Sequence, residues 1–282
     1  MRVGIVSPGA MGSAIGAALR EGGADVVTTV AGRSERTAHL ARRAGLECLP
    51  DLDAVVREAE IVLSIAPPGE AEAIAGAIGD AATRTGARPL VADLNAISPA
   101  TARRVEATLA AAGLELVDGS ISGPPPLRPG TTRIYLSGPR AAAVAELPVA
   151  GVDLIRVGDE IGTASAVKMC TASVYKGTVA LLTQALLTAR ANGVLEHVLA
   201  DLGELADGAA RTIARAATKS DRYVGEMHEI AATQAAAGLT PALFEAMAVV
   251  YASLAERPLA GSHPEDVDTA VELEPVLDEL DG

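Results

Sequence analysis

Hydrophobic and polar positions follow two different patterns along this chain. Up to about residue 157, short runs rich in Val, Ile and Leu alternate with stretches in which apolar residues recur at helical spacing. We predict strands at RVGIVS, DVVTTVA, EIVLSIA, RPLVADL, LELVDGS, TRIYLSG and VDLIRV, with helices such as AMGSAIGAALREG between many of them. This alternation predicts an α/β fold built on a doubly wound, mostly parallel sheet.

The strand pattern stops at Gly162, and the chain beyond it is helical. Residues 162–193 predict one long helix, followed by helical segments near 194–217, 220–237 and 241–257. We therefore place a domain boundary near 157–158. The sequence predicts a sheet domain over 1–157 and an all-helical domain over 158–282, joined by the long helix.

Composition and charge narrow the possible classes of function. In 282 residues, 49% are hydrophobic but only 2% are aromatic, so the core must consist mainly of Ala, Val, Leu and Ile. The net charge of −13 argues against a general affinity for nucleic acid or anionic membranes. Much of this charge lies in an acidic tail, residues 258–282, with eight acidic side chains and neither Lys nor Arg. We predict a solvated end or a short docked helix there, without a chemical role.

Features of targeting, membrane insertion and metal binding are missing from the sequence. The chain starts with a predicted strand rather than a signal peptide, and it has no run of about eighteen apolar residues that could span a membrane. Cys48 and Cys170 are too few and too far apart for a disulfide framework or a zinc site. We therefore expect a cytoplasmic protein without a bound metal.

A turn between the first strand and the first helix predicts a dinucleotide site. Such sites carry the pattern G-x-G-x-x-G, whose position here is taken by Ser7, Pro8, Gly9, Ala10, Met11 and Gly12. Ser7 replaces the first glycine, and Pro8 lacks an N–H donor. The N–H groups of Ala10 and Met11 can still face phosphates at the helix N-terminus. The alternative is an ordinary turn that uses glycine only for its shape.

The end of the second strand favours NADP over NAD. An NAD site usually has Asp or Glu there to hold the ribose 2′-hydroxyl. This chain instead has Arg33, Ser34 and Arg36, which together offer donors for a 2′-phosphate. The alternative is a solvated helix start.

The ends of two later strands also lie where such sheets bind their ligands. Ligands of doubly wound sheets occupy the crevice outside the carboxyl ends of the strands. By this rule Ala66, Pro67 and Pro68 line the cofactor cleft, and Asn95 lies near the nicotinamide.

Lysine is rare in this chain and concentrated in one segment. There are three lysines against twenty arginines, and Lys168 and Lys176 both lie in GTASAVKMCTASVYKG. Unlike arginine, lysine can lose a proton near neutral pH when burial or a neighbouring cation lowers its pKa. On a helix, Tyr175 projects close to Lys168, and Lys176 lies about 80° away. Lys168 is therefore a candidate acid/base group, and Lys176 is either its helper or a surface residue. Tyr175, the third polar group on this face, is also a candidate catalytic residue.

Four sequence blocks carry a resemblance to the β-hydroxyacid dehydrogenases, the family of 3-hydroxyisobutyrate and 6-phosphogluconate dehydrogenases. They are GIVSPGAMG (4–12), DLNAISPAT (93–101), DGSISGPP (118–125) and GTASAVKM (162–169). The C-terminal half, with RYVGEMHEIAATQAAAGLTP, is similar to a little-characterised branch of the same superfamily. The resemblance implies a Rossmann-type dinucleotide-binding domain, a helical domain for substrate and dimerisation, and a homodimer.

The resemblance also implies roles for individual residues. Lys168 matches the catalytic lysine, which exchanges a proton with the substrate while NADP exchanges a hydride. Ser122 and Gly123 match the loop that holds the carboxylate of a small, anionic β-hydroxy acid, with Ser120 adding a hydroxyl. His228 falls where better-known members carry a Lys-Asp pair, which makes it a candidate substrate residue.

Three departures from the family pattern keep other functions open. Ala172 stands where the family usually has Asn, Pro124 replaces the second glycine of the substrate loop, and Ser7 replaces the first glycine of the turn. One alternative is an imine reductase, which shares the fold and NADP but generally lacks the lysine. The other is a non-catalytic NADP-binding sensor.

Overall fold

The computed structural model describes residues 1–263, 266–268 and 270–281. These residues divide into two compact units, Met1–Met169 and Cys170–Gly282. The part of the acidic tail at 264, 265, 269 and 282 lies outside the described residues.

The first unit is built on one sheet, which in the described residues has eight strands in the order β3-β2-β1-β4-β5-β6-β7-β8. The strands are β1 (Arg2–Val6), β2 (Asp25–Thr29), β3 (Glu47–Leu49), β4 (Ile61–Ser64), β5 (Leu90–Asp93), β6 (Leu116–Ser122), β7 (Thr132–Ser137) and β8 (Val152–Gly158). Neighbouring strands are parallel except β6 and β7, which pair antiparallel. The predicted α/β fold is confirmed. The sequence missed β3, because this edge strand has only three residues and two of them are exposed.

Helices cover both faces of this sheet. They are α1 (Ala10–Glu21), α2 (Glu35–Arg43), α3 (Leu52–Glu58), α4 (Ala71–Thr85), α5 (Pro99–Ala111) and α6 (Ala141–Ala145). One core contains Ile15 and Leu19 of α1, and the other contains Ile78 of α4 and Leu109 of α5. Because both faces are covered, β1, β4 and β5 are almost entirely buried, as expected of a parallel sheet between two helical layers.

The long helix α7 (Thr163–Ala191) starts in the first unit and continues into the second. The predicted domain boundary lay near 157–158, whereas the division between units falls after Met169. The difference has a physical cause, because the first turns of α7 are hydrogen-bonded to strands β6 and β7, as described below. Of the described helices, none is long and apolar enough to cross a membrane.

The second unit is helical, as predicted. After α7 it contains α8 (Leu195–Leu202), α9 (Ala209–Ala217), α10 (Ser220–Ala236), α11 (Ala242–Ala255) and α12 (Leu273–Asp281). The helical segment predicted near 194–217 consists of two helices, α8 and α9. Gly203 and Gly208 interrupt it with φ angles of +51° and +69°, which only glycine adopts readily.

Helix α12 shows that the described end of the acidic tail is a docked helix. Its side chains Val276, Leu277 and Leu280 are buried. On its polar side, Arg190 of α7 forms an ion pair with Asp278 and lies 3.9 Å from Glu274. The helix is therefore held by an apolar face and by one arginine.

Candidate active site

The turn after β1 is tightly fixed by its own backbone. Gly9 N donates to Ser7 O at 2.8 Å, and the Ser13 hydroxyl donates to Pro8 O at 2.6 Å. Ser7 has a φ of +65°, a left-handed conformation that is uncommon for a residue with a side chain. Serine thus adopts the backbone geometry that the first glycine of the fingerprint would adopt more easily.

The same turn has the features that a pyrophosphate requires. Helical hydrogen bonding starts with Ser13 N to Gly9 O at 2.8 Å, so the N–H groups of Ala10 and Met11 precede it and point out of the helix end. A Cβ added to Gly9 would have no atom within 4 Å, whereas one added to Gly12 would lie 2.5 Å from Ser7 O. Gly9 therefore leaves open space before the helix end, and Gly12 lets the helix close onto the turn. These residues fit a dinucleotide phosphate.

The residues after β2 form an exposed, basic corner. Arg33 is exposed and Arg36 is half-buried. The Ser34 hydroxyl caps α2 by accepting from Thr37 N at 3.3 Å. Ser34 therefore has a structural role in starting α2, and Arg33 is the more available of the predicted phosphate ligands.

Asn95 joins the ends of β4 and β5. Its Oδ1 accepts from Ala66 N at 2.5 Å, and its Nδ2 donates to Asp93 Oδ2 at 2.7 Å and to Ser64 Oγ at 3.1 Å. The side chain is only 2% exposed. Asn95 thus shapes the edge of the cleft by holding Ala66, and its predicted contact with the nicotinamide stays a prediction.

The two prolines that follow Ala66 differ in exposure. Pro67 is exposed, whereas Pro68 is buried at the start of a 3-10 turn that extends to Glu70. Of this pair, Pro67 is the one available to line a cofactor cleft.

Two buried carboxyl groups lie side by side at this edge of the sheet. Asp93 and Asp118 are register partners on β5 and β6. Burial raises the pKa of Asp93 to about 7; hydrogen bonds from Asn95 oppose this rise, and the charge of Asp118 adds to it. Neither residue is among the predicted site residues, although an acid inside each of two apolar strands, RPLVADL and LELVDGS, is a signal in the sequence.

The start of α7 brings the candidate lysine to the predicted substrate loop. Lys168 Nζ donates to Ile121 O at 2.8 Å. Ser122 follows Ile121 directly, and Gly123 has a φ of +116° with Thr131 O only 2.2 Å from where a Cβ would be. The lysine and the loop therefore meet within the first unit, and the loop requires glycine at position 123.

The Ser120 hydroxyl contacts helix α7. Its side chain is buried, and its hydroxyl donates to Ala164 O in the first turn of α7 at 2.8 Å. The structure therefore gives Ser120 a role in holding the lysine helix, which differs from the predicted contact with substrate.

The remaining predicted site residues belong to the second unit. Lys176 forms an ion pair with the buried Glu226, and its Nζ lies 4.2 Å from the centroid of the Tyr223 ring. Tyr175 is 72% exposed, and His228 is exposed on α10. The sequence offered a helper or a surface role for Lys176, whereas the structure shows the partner of a buried glutamate.

Comparison with known families identifies the chain. The model of the NAD-binding domain of 6-phosphogluconate dehydrogenase matches residues 2–149. The chain belongs to this family. The second unit carries a match to a domain of unknown function (DUF1932) at residues 189–254. Together with the relatives described next, these matches confirm the predicted resemblance to the β-hydroxyacid dehydrogenase superfamily.

Relatives and solved structures agree with this membership. An uncharacterized 28.5 kDa protein of Methanothermus fervidus is 26% identical over 72% of this chain and 77% of its own length. The 3-hydroxyisobutyrate dehydrogenase of Pseudomonas aeruginosa is 30% identical over 53% of this chain and 52% of its own length. A conserved protein of unknown function, described as structurally similar to 3-hydroxyacid dehydrogenases, is 28% identical with a TM-score of 0.66, and the match covers 93% of this chain and all of that one.

Two further solved structures share the fold at lower identity. The Mycobacterium tuberculosis 3-hydroxyisobutyrate dehydrogenase with L-serine has a TM-score of 0.68 at 22% identity, covering 100% of this chain and 99% of that one. The imine reductase of Streptomyces aurantiacus has a TM-score of 0.56 at 20% identity, covering 94% and 97%. These two structures show the shared fold, whereas the family match indicates a nicotinamide dinucleotide-binding domain typical of oxidoreductases.

Proposed function

We propose that this protein is an NADP-dependent oxidoreductase that acts on a small β-hydroxy acid or related alcohol, with Lys168 as general acid/base. The observation that carries the proposal is the hydrogen bond from Lys168 Nζ to Ile121 O, next to the Ser122–Gly123 loop. It brings a proton-exchanging group to the loop that matches the family's carboxylate site. The 3-hydroxyisobutyrate dehydrogenases among the similar proteins support this class of substrate.

The proposed reaction needs one proton acceptor and one hydride acceptor. The nicotinamide cofactor supplies the hydride chemistry. As the C–H bond of the alcohol breaks, neutral Lys168 Nζ takes the hydroxyl proton, and a carbonyl forms; in the reverse direction, Lys168 returns the proton to the carbonyl oxygen. Lys168 is the residue to which we assign this step, because Lys176 is bound to Glu226.

The anionic group of the substrate is assigned to the loop after β6. Backbone N–H groups at Ser122 and Gly123 can approach a carboxylate closely because these residues are small. Pro124 has no N–H, so this loop offers one donor fewer than a second glycine would give. We therefore propose a substrate that differs from those of family members with two glycines.

The preference for NADP rests on Arg33. Its exposed side chain follows β2, where an arginine can pair with a 2′-phosphate through two parallel hydrogen bonds. Arg33→Ala should weaken NADPH binding about tenfold or more, with little effect on NADH, measured by the fluorescence of the reduced cofactor. Equal losses for both cofactors would contradict this role.

We also propose a homodimer in the cytoplasm. The second unit exposes several large apolar side chains, namely Val174, Leu181, Leu205, Leu239, Leu243 and Val249. Where such side chains form one contiguous patch, they are typical of an interface. Light scattering after size-exclusion chromatography tests the dimer, and a monomer at micromolar concentration would contradict it.

The main experiment follows NADPH absorbance with wild type beside Lys168→Ala. The substrates are a panel of small β-hydroxy acids with NADP, and of β-keto acids and cyclic imines with NADPH. We expect oxidation of a hydroxy acid that is lost in the variant, while the variant still binds NADPH. NADPH binding without turnover on any substrate of the panel would favour the sensor.

The second candidate is an imine reductase, because the imine reductase of Streptomyces aurantiacus shares this fold, although such enzymes generally lack the lysine found here at Lys168. Imine reduction that survives Lys168→Ala would favour this function over the dehydrogenase.

A further inference from the structure

The helix that carries Lys168 follows a glycine, which has no side chain with which to cap it. The residue before its first turn is Gly162, which has a φ of +102° and lies so close to Pro99 that an added Cβ would be 3.0 Å from the Pro99 Cβ. Most helices satisfy their first N–H groups with a nearby Ser, Thr, Asp or Asn. Here the acceptor is Asp118 on β6, whose Oδ2 receives Gly162 N at 2.9 Å and Ser165 N at 3.1 Å.

Hydroxyl groups complete the surroundings of this carboxylate. Ser165 Oγ donates to Asp118 Oδ1 at 2.6 Å, and Ser137 Oγ donates to Oδ2 at 2.8 Å. Ser137 Oγ in turn accepts from Ala164 N at 3.0 Å. Asp118 is only 1% exposed. A buried carboxylate that receives donors from β7 and from α7 fixes where the helix begins.

One strand thus holds α7 at three successive points. Asp118 binds the first turn, Ser120 donates to Ala164 O, and Ile121 O receives the Lys168 amine. The spacing along β6 therefore determines the position of Lys168 relative to the loop that starts at Ser122. A shift of the first turn would change the distance from Lys168 Nζ to that loop.

We propose that Asp118 is a positioning residue for Lys168, which it places at the Ser122–Gly123 loop by fixing the first turn of α7 and adding a negative charge there. The proposal rests on the proposed function for the role of Lys168, but its test needs no substrate. Asp118 does not contact the reacting atoms; it acts through the helix and through its charge. The positive end of the helix dipole disfavours a protonated lysine nearby, and a carboxylate at this end offsets that effect.

The small number of lysines makes the proposal directly measurable. Protein labelled with ¹³C at the lysine ε-carbon should give three side-chain signals, which single Lys→Arg variants assign to Lys168, Lys176 and Lys219. In Asp118→Asn we expect the Lys168 signal to move and its titration midpoint to fall by roughly half a pH unit, the scale of a charge acting at a helix terminus. The signals of Lys176 and Lys219 should not move.

Asp80→Asn is the matched control, because it removes one carboxylate from an exposed position on α4 of the same unit. This variant should leave the three midpoints unchanged. NADPH binding should persist in both variants, since the turn after β1 is untouched. An Asp118→Asn protein that is less stable but has an unshifted Lys168 midpoint would show that Asp118 is merely structural, and would overturn the proposal.

A second variant covers the case in which Asp118→Asn does not fold. Ser137→Ala keeps the carboxylate but removes the hydroxyl that links it to Ala164 N. The Lys168 signal should again move while that of Lys176 stays in place, and an unmoved Lys168 signal would refute the positioning role. Failure of the proposed function would look different, because Lys168→Ala would then keep its activity whatever the titration shows.

Discussion

The two units of this protein bury charged groups in different ways. In the first unit, the Lys168 amine donates to the carbonyl oxygen of Ile121, and the Asp93 carboxyl accepts from the amide of Asn95. In the second unit, buried Glu226 contacts Lys176 and lies 3.2 Å from Arg222. A neutral amine can still donate to a carbonyl, whereas a neutral Lys176 would leave part of the charge on Glu226 unmet. The surroundings of Lys168 are therefore compatible with loss and gain of a proton by its amine. The surroundings of Lys176 favour an amine that keeps its proton.

Removal of each lysine in turn should have different effects in the two units. Lys168→Ala should lower the rate of hydride transfer about a thousandfold, the usual contribution of a positioned acid/base group. NADPH affinity and the thermal midpoint should change little. Stopped-flow absorbance measures the chemical step, and the result would be contradicted by a variant that transfers hydride at the rate of wild type.

Lys176→Ala should instead act on stability. Removing one partner of a buried ion pair costs about 3 kcal/mol because the other charge is left without it. We expect that loss in the free energy of unfolding from urea titration. The control is Lys176→Met combined with Glu226→Gln, which removes both charges and should recover most of the loss. If the single variant unfolds like wild type, Glu226 does not depend on Lys176.

The Asp93 carboxyl offers a pH-dependent version of the same comparison. Its pKa in the folded protein is about 7, above the ordinary value of 3.8, so the folded state binds more protons than the unfolded state between these values. Its contribution to stability is therefore complete on the acid side and is lost as the pH rises toward 7. From pH 5 to 6.5, wild type should lose about 2 kcal/mol relative to Asp93→Asn. Parallel stability curves for the two proteins would refute this assignment.

The smallest expected effect concerns backbone strain in the cofactor turn. Ser7→Gly should raise the free energy of unfolding by about 0.5 kcal/mol, since relief of the left-handed conformation exceeds the added entropy of the unfolded chain. Ser7→Ala keeps the strain and should give no gain. NADPH binding should survive Ser7→Gly because the predicted phosphate donors are the N–H groups of Ala10 and Met11. An equal gain in both variants would show that the hydroxyl, not the backbone, is the cause.

The sequence predicted the elements of the fold better than the contacts within the site. Apolar periodicity is a local property, so it located the seven longer strands and the long helix. It could not show that Gly203 and Gly208 would divide a helical segment, because glycine also occurs within helices. The resemblance also gave Lys168 and Ser122 as site residues, and the structure brings them close through the hydrogen bond from Lys168 to Ile121 O.

The polar contacts of the site could not be predicted in this way. Asp118 meets Ser165 forty-seven positions along the chain, and Ser120 meets Ala164 forty-four positions along. Nothing in the local pattern around either residue encodes its partner. The same holds for Lys176 and Glu226, which belong to different helices.

The non-local cap of α7 has a consequence for the order in which the chain folds. The middle of this helix can form from its own hydrogen bonds, but the N–H groups of its first turn find their acceptors on Asp118 and Ser137. Those acceptors are in place only when β6 and β7 have paired and the chain between β6 and the start of α7 has closed into a loop. We expect mutations in this first turn to accelerate unfolding more than they slow folding. The Lys168 amine would then reach its position at the Ile121 carbonyl late in folding, after the sheet that holds it has formed.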